Sequence, residues 1–364
     1  MLVRKRSIGP TYVEGSRTAY GVTTASKALV NEAICEDVTG VSGGYPFSVS
    51  KFSSYGGIMN GPSGNLVADH CPVDLVRNDN MKGHLSTGSL GLRTDSAYAT
   101  MAQARTNPSR PDVDIPVFIG ELGDLPSLVK DAGTKVIKLL ARQHLRTHFG
   151  TVPLVRDLLS MCNFVQLTEL RMKELRALGD KGLGRTRVLD NLSLSESKSV
   201  TPQSVGTVLN GFQTRTTSVK VWVHVKWHPS PGFPRTDASL LSTCRRAVFG
   251  LTIDPSTAWE LIPFSWLADW YGSMGDYLAA KRNIVPCYPS TPQVMRHTRT
   301  ETKIRIPAPN AKPGFTVSDY GSVYETKSRL PTTISAFTAY VPFLSGRQLA
   351  VLGSLAVLKH GRYF

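Results

Sequence analysis

The sequence predicts an α+β protein whose strands and helices occur in separate blocks. Short alternating segments and turn clusters fill residues 1–115, and two long amphipathic patterns follow at 125–148 and 152–178. Strand patterns return at 204–228, before further helices and strands. Because a βαβ sheet requires strands and helices to alternate, this order favours antiparallel strands with helices segregated from them.

The N-terminal region is rich in Gly, Ser and Thr. The alternation in PFSVSKF at 46–52 predicts a strand, and the cluster NGPSGN at 60–65 predicts a turn. We therefore expect an irregular antiparallel region with long loops.

A helical hairpin and a connector are predicted next. The two amphipathic patterns meet at Gly150, which is typical of a helix C-cap. The following segment, 179–200, is polar, and we interpret it as a connector.

The later elements are predicted from capping residues and periodicity. Asp254 followed by Pro255 marks a helix start, because an Asp side chain caps free N–H groups and proline fits the first helical position. Pro263 breaks that helix. The predicted helices lie at 237–249, 255–281 and 346–359, and the predicted strands at 293–306, 314–327 and 332–341. These blocks give six segments: 1–115, strands and loops; 116–200, helical hairpin and connector; 201–235, strands; 236–285, helices; 286–345, strands; and 346–364, a final helix.

The charge balance indicates a polyanionic partner. The chain has 42 Lys and Arg against 27 Asp and Glu, a formal net charge of +15, and 41% of its residues are hydrophobic. Such a composition is typical of a folded protein that contacts nucleic acid or an anionic surface, although a merely basic protein remains the alternative.

The first predicted helix carries a stripe of cations. Lys135, Lys138, Arg142 and Arg146 recur at i, i+3, i+7 and i+11, and Arg156 follows in the next pattern. Cations that converge along a line suit the phosphates of RNA. The alternative is an ordinary solvated helix face.

The segment Ser218–His228 predicts a half-buried strand with a second cationic face. Its valines and Trp227 alternate with four RNA-binding candidates, which are Lys220, Trp222, His224 and Lys226. Cations mixed with stackable rings suit single-stranded RNA. The alternative is an exposed strand whose lysines discourage edge pairing.

The block 254–281 holds three of the five tryptophans, Trp259, Trp266 and Trp270. Their spacing predicts buried core aromatics, and Gly272 and Gly275 would permit a neighbour to approach closely. We expect these tryptophans to stabilise the fold and not to contact RNA.

No catalytic site, cofactor site or metal site is predicted. Asp269 and Asp276 could share a helix face, but no nucleophile or metal ligand accompanies them. The five cysteines and eight histidines show no zinc spacing. The apolar stretch Leu349–Leu358 is too short to span a bilayer, so no membrane span is expected.

Three segments resemble the maturation proteins (A proteins) of single-stranded RNA bacteriophages. The clearest is W-E-L-I-P-F-S-W-L-A-D-W-Y-x-x-x-G-D-Y at 259–277; the others are FIGELGDLPSLVKDAG at 118–133 and HFGTVPLVRDLL at 148–159. The resemblance covers about residues 115–285.

This resemblance implies a minor virion protein, made in the host cytoplasm. Such a protein binds genomic single-stranded RNA, takes a place among the coat proteins and attaches the particle to a bacterial pilus. It also implies an elongated molecule with a helical bundle region, 125–178, 237–281 and 346–359, and a separate, curved antiparallel β-sheet region. If the strand at 218–228 belongs to that sheet, its basic face could meet receptor or coat instead of RNA.

Two rival functions remain open at this stage. One is a cytoplasmic basic RNA-binding protein that is not part of a virion. The other is a hydrolase that depends on Asp269 or Asp276.

Overall fold

The computed structural model describes two-thirds of the chain. The described residues are 2–19, 22–39, 45–60, 66–69, 71–72, 81–112, 164–201, 203–204, 207–208, 210–250, 254–262, 269, 272–307, 316–335, 346, 349–350 and 354. Within these ranges lie fourteen β-strands, five α-helices and one short 3-10 helix, Gly88–Leu90.

The strands vary from 2 to 19 residues. They are β1 (Leu2–Ala19), β2 (Val22–Thr39), β3 (Phe47–Tyr55), β4 (Ile58–Asn60), β5 (Leu66–Asp69), β6 (Cys71–Pro72), β7 (Leu183–Val200), β8 (Gln203–Ser204), β9 (Thr207–Val208), β10 (Gly211–Pro229), β11 (Cys287–Pro289), β12 (Gln293–Arg305), β13 (Thr316–Val317) and β14 (Tyr320–Pro331). The helices are α1 (Asp95–Thr106), α2 (Phe164–Lys181), α3 (Asp237–Phe249), α4 (Pro255–Glu260) and α5 (Met274–Lys281).

Nine strands form one sheet in the order β11-β10-β12-β14-β3-β2-β1-β5, with β7 paired to β10. The longest described ladder joins β1 to β2, from Leu2 opposite Thr39 to Ala19 opposite Val22. Strands β12 and β14 pair from Gln293 opposite Pro331 to Ile304 opposite Tyr320. The remaining strands form a three-stranded sheet, β13-β4-β6, and the pair β8-β9.

The predicted fold class is wrong. The described chain is mostly antiparallel β-sheet, with one sheet of nine strands, and is not a helical bundle beside a separate sheet region. One polar segment accounts for part of the error. Residues 183–200, interpreted as connector, form the 18-residue strand β7. A strand whose ladder pairs its backbone needs no apolar run, so composition alone did not reveal this strand. In the N-terminal region strands were predicted, but β1 and β2 are longer than the short segments expected, at 18 residues each.

Several local predictions are confirmed. Helix α3 coincides with the predicted 237–249, since Thr236 and Ser239 form a capping box and Gly250 ends the helix at φ 58°. Helix α4 starts at Pro255, and the Asp254 carboxylate accepts a hydrogen bond from Thr257 N at 3.0 Å. Strand β12 matches the predicted 293–306.

Other predictions differ from the structure. Helix α1 lies in a region predicted to hold only strands and loops. The predicted strand 314–327 is divided between β13 and β14, and residues 332–335 are not strand. The helix predicted at 125–148 and most of the one at 346–359 lie outside the described residues.

The chain divides into two compact units. The first comprises Met1–Leu92, Val188–Val223 and Gln293–Pro331, and the second comprises Arg93–Arg187, His224–Pro292 and Thr332–Phe364. The first unit has an apolar core in which Phe52, Ile304 and Tyr320 are each at most 2% exposed.

All five described helices belong to the second unit, together with the end of β10 and all of β11. Trp227 on β10 is 2% exposed and donates its indole N–H to Thr106 Oγ1 of α1 at 3.2 Å. The core of this unit is therefore built from helix and strand together. No helix among the described residues is long and apolar enough to cross a membrane.

Candidate nucleic-acid interface

Strand β10 has one buried face and one polar face. Val219, Val221, Val223 and Val225 are all 0% exposed. Between them, Lys220 and Lys226 are exposed, while Trp222 and His224 are half-buried. The predicted alternation is confirmed, because the valines pack inward and the pleat directs every intervening side chain to the other face.

The polar face of β10 continues beyond the predicted residues in the second unit. The His224 ring and the Thr186 hydroxyl of β7 form a hydrogen bond at 3.0 Å. The His228 and Tyr288 rings stack with their centroids 5.5 Å apart, and Tyr288 is 54% exposed. Tyr288 is not predictable from the sequence as part of this face, because its position opposite His228 depends on the pairing of β10 with β11.

A second cationic feature, which we call the arginine cavity, lies in the second unit. It is an open cavity of about 420 Å³. Helix α1, the loop 107–112, helix α2 and the start of β7 supply its five arginines, which are Arg105, Arg110, Arg171, Arg185 and Arg187. Two acids, Asp112 and Glu174, also line it, so the five arginines exceed the acids by three formal charges.

Two of these arginines are held by acids and backbone carbonyls. Arg171 is 7% exposed and donates to Pro108 O at 2.9 Å, Arg110 O at 3.0 Å and Asp112 Oδ2 at 2.9 Å. Arg185 lies 2.5 Å from Glu174 Oε2 and donates to Thr106 O at 3.2 Å. These contacts position the loop and neutralise both acids of the cavity.

The other three arginines, Arg105, Arg110 and Arg187, are exposed. Among the described residues, none of the three forms an ion pair with a carboxylate. Loss of water around the Arg110 guanidinium, and then the positive charge of Arg187, lower the pKa of Arg110; Asp112 opposes this shift, and Arg105 and Arg171 add to it. The lining of the cavity therefore carries a surplus of positive charge, although Asp276, which does not line it, interacts with Arg105.

The loop that carries Arg110 is held firmly. The buried Asn107 side chain donates to Ala279 O, Ala280 O and Arg282 O, and its Oδ1 accepts from Ser109 N at 2.8 Å. Ser109 Oγ in turn accepts from Val285 N at 2.9 Å. These bonds fix the backbone on both sides of Pro108, so the loop is organised without a ligand.

The other predicted cationic surfaces have different outcomes. Residues Lys135, Lys138, Arg142, Arg146 and Arg156 lie outside the described residues. The residues Arg296, His297, Arg299, Lys303 and Arg305 form a further basic tract in the sequence, interrupted by Glu301, and they lie on β12. Part of this tract is compensated: Arg299 contacts Glu301 and Glu325 at 3.2 Å, and Lys303 contacts Glu301 at 3.0 Å.

The tryptophan block is described only in part. Trp259 is half-buried, and its indole N–H donates to Asp269 Oδ2 at 3.1 Å. Gly275 N donates to Asp269 Oδ1 at 2.9 Å. Both carboxylate oxygens of Asp269 are thus used in local structure. Trp266 and Trp270 lie outside the described residues.

Burial shifts the pKa values of two cysteines and one aspartate among the described residues. Burial raises the pKa of Cys244 to about 11 and that of Cys287 to about 12, which suppresses their thiolates. Burial also raises the pKa of Asp276, against the charges of Arg105 and Arg93. Within the described ranges, no three His, Cys, Asp or Glu side chains come together as a metal site. Neither a model of a known protein family nor a curated protein matches this chain.

Proposed function

We propose that this protein is a minor virion protein of a single-stranded RNA bacteriophage, similar to the maturation proteins. It binds the genomic RNA, takes a place in the coat shell and attaches the particle to a bacterial pilus. The support consists of the three motifs in their order along the chain, the net charge of +15 and the cationic surfaces of the described residues.

The observation that carries the RNA-binding part is the burial pattern of β10. Lys220 and Lys226 are exposed. On the same side of the strand, the half-buried Trp222 ring follows Lys220, and the half-buried His224 ring precedes Lys226. A lysine neutralises a phosphate while a ring stacks on a base, so this side of the strand offers both contacts that single-stranded RNA requires.

The RNA-binding proposal is tested with purified full-length protein and genomic single-stranded RNA. The variant Lys220→Gln/Lys226→Gln should bind more weakly than the natural protein. The slope of log affinity against log salt should flatten by about 1.4, at about 0.7 for each lost phosphate contact.

The matched control is Lys51→Gln/Lys198→Gln, which removes two exposed lysines from β3 and β7. Its net charge equals that of the test variant, so a difference between the two reports position and not total charge. Equal binding by both variants would contradict a role for β10.

The alternative function, a cytoplasmic basic RNA-binding protein, differs from the proposal in its partners. Particles assembled with coat protein and genomic RNA should retain this protein through purification and should attach to pili. RNA binding without either association would favour the alternative.

A further inference from the structure

We propose that the arginine cavity binds a phosphate group, and that this group is a backbone phosphodiester of the RNA. The proposal rests on the proposed function and deepens it, because it assigns a second RNA contact to side chains that do not belong to β10; Thr186, which also lines the cavity, joins it to His224 of the polar face. Arg105, Arg110 and Arg187 contact the phosphate, whereas Arg171 and Arg185 are positioning residues.

The charge distribution within the cavity is the first argument. Asp112 and Glu174 are already bonded to Arg171 and Arg185, and among the described residues neither acid forms an ion pair with the other three arginines. Loss of water is the main cause of the lowered pKa of Arg110, and repulsion by the charges of Arg187, Arg105 and Arg171 adds to it against the attraction of Asp112. An anion that enters the cavity relieves this repulsion and gains several charge-assisted hydrogen bonds.

The construction of the cavity is the second argument. The buried Arg171 guanidinium donates hydrogen bonds to two backbone carbonyls of the loop, Pro108 O and Arg110 O. Asn107 and Ser109 anchor the same loop to residues 279–285. The backbone that carries Arg110 is therefore held before any anion arrives, so binding does not have to order the loop.

The lining of the cavity decides between RNA backbone and a free nucleotide. None of the described residues that line the cavity is aromatic, and Pro111 and Leu167 are its main apolar members. A nucleotide site requires groups that stack on or hydrogen-bond to the base, whereas backbone phosphates require only cations. The volume of about 420 Å³ and the open mouth leave room for a phosphate together with its flanking sugars.

The test compares Arg110→Gln/Arg187→Gln with the control Arg235→Gln/Arg245→Gln in the full-length protein. The control removes two exposed arginines of the same unit that do not line the cavity. Binding to a single-stranded RNA of about 20 nucleotides is measured from 0.05 to 0.5 M salt. The cavity variant should lose about tenfold in affinity at 0.2 M salt, and its salt slope should flatten by about 1.4 relative to the control.

A charge-retaining variant, Arg110→Lys/Arg187→Lys, separates loss of charge from loss of structure. It should keep most of the salt slope, and all variants should show the thermal midpoint of the natural protein. Equal slopes for the cavity variant and its control would overturn the cavity proposal, even if the β10 variant weakens binding as expected. Failure of the natural protein to bind RNA would overturn both proposals.

Competition identifies the source of the phosphate. Inorganic phosphate and adenosine monophosphate should displace the RNA only at millimolar concentrations, because each supplies a single phosphate. Displacement by adenosine monophosphate at micromolar concentrations, lost in Arg110→Gln/Arg187→Gln, would show a nucleotide site and overturn the assignment to RNA backbone.

Discussion

Gly275 shows how one residue permits a local arrangement. A Cβ atom at this position would lie 2.5 Å from Asp269 Oδ2, the atom that accepts the Trp259 indole N–H. The sequence predicts that Gly272 and Gly275 permit a neighbour to approach closely. For Gly275 that neighbour is a carboxylate of the same block, which links Trp259 to the start of α5.

Substitution of Gly275 by alanine should therefore destabilise the protein. The added methyl group displaces the Asp269 carboxylate and breaks its bonds to Trp259 and Gly275 N, at a cost of about 1–3 kcal/mol in the free energy of unfolding. Chemical denaturation measures this cost. The control is Gly232→Ala, whose nearest Cβ neighbour lies 3.9 Å away; equal stabilities of the two variants would refute the steric account.

The segment 81–85 shows how polar contacts attach an element to the sheet of the first unit. His84 Nδ1 and Nε2 lie 2.8 and 2.9 Å from the hydroxyls of Thr300 and Thr326. Leu85 N donates to Thr217 Oγ1, and Arg215 donates to Gly83 O at 2.9 Å. One histidine thus joins the segment to β12 and β14, and its ring lies 4.7 Å from that of Tyr324.

Protonation of His84 should weaken this attachment. Burial, and then the charges of Arg215 and His297, lower the pKa of His84 below its usual value. The unfolded chain therefore binds the proton more tightly, so the contribution of His84 to stability is complete above the unfolded pKa of about 6.5 and declines as the pH falls below it. Burial and the charge of Lys327 also lower the pKa of His297, whereas the charge of Glu325 opposes this shift. His297 therefore contributes to the pH dependence of stability in the same direction as His84.

The measurement is the free energy of unfolding of His84→Gln between pH 8 and pH 5. The variant should be less stable than the natural protein at pH 8, because it loses a threonine contact, and should lose less stability on acidification. If the difference in the free energy of unfolding between the variant and the natural protein is the same at pH 8 and at pH 5, protonation of His84 does not affect stability.

The charge of the whole molecule limits what it can bind. Its 42 cationic side chains exceed its 27 acidic ones, and many described acids are already in ion pairs, such as Asp37 with Arg4 and Asp237 with Arg176. The surplus is therefore available to an external polyanion. On β10 and in the arginine cavity it is concentrated at places with defined geometry.

RNA binding by the whole protein should accordingly depend steeply on salt and leave the RNA intact. If the two lysines of β10 and the three free arginines of the cavity all contact phosphates, log affinity should fall with log salt with a slope of about −3.5, at about 0.7 per contact. Filter binding and gel analysis of the recovered RNA measure both properties. A slope near zero would contradict phosphate contacts, and cleavage that is lost in Asp269→Asn would favour the hydrolase hypothesis.

The sequence by itself determined features that depend on neighbouring residues. The two faces of β10, the capping of α3 at Thr236 and the start of α4 at Asp254 all follow from patterns within a few positions. The net charge also needed no coordinates, and the resemblance to maturation proteins stays a prediction.

Only the tertiary structure decided which distant segments meet. It made the polar segment 183–200 a strand, because β10 supplies the pairing partner that its own composition does not indicate. It also brought Arg105 and Arg110 beside Arg187, and left them without the acids that Arg171 and Arg185 had already bound. The periodicity of apolar residues can be recognised from consecutive positions in the sequence. Strand pairing and the balance of charge in a cavity depend instead on contacts between residues far apart in the chain.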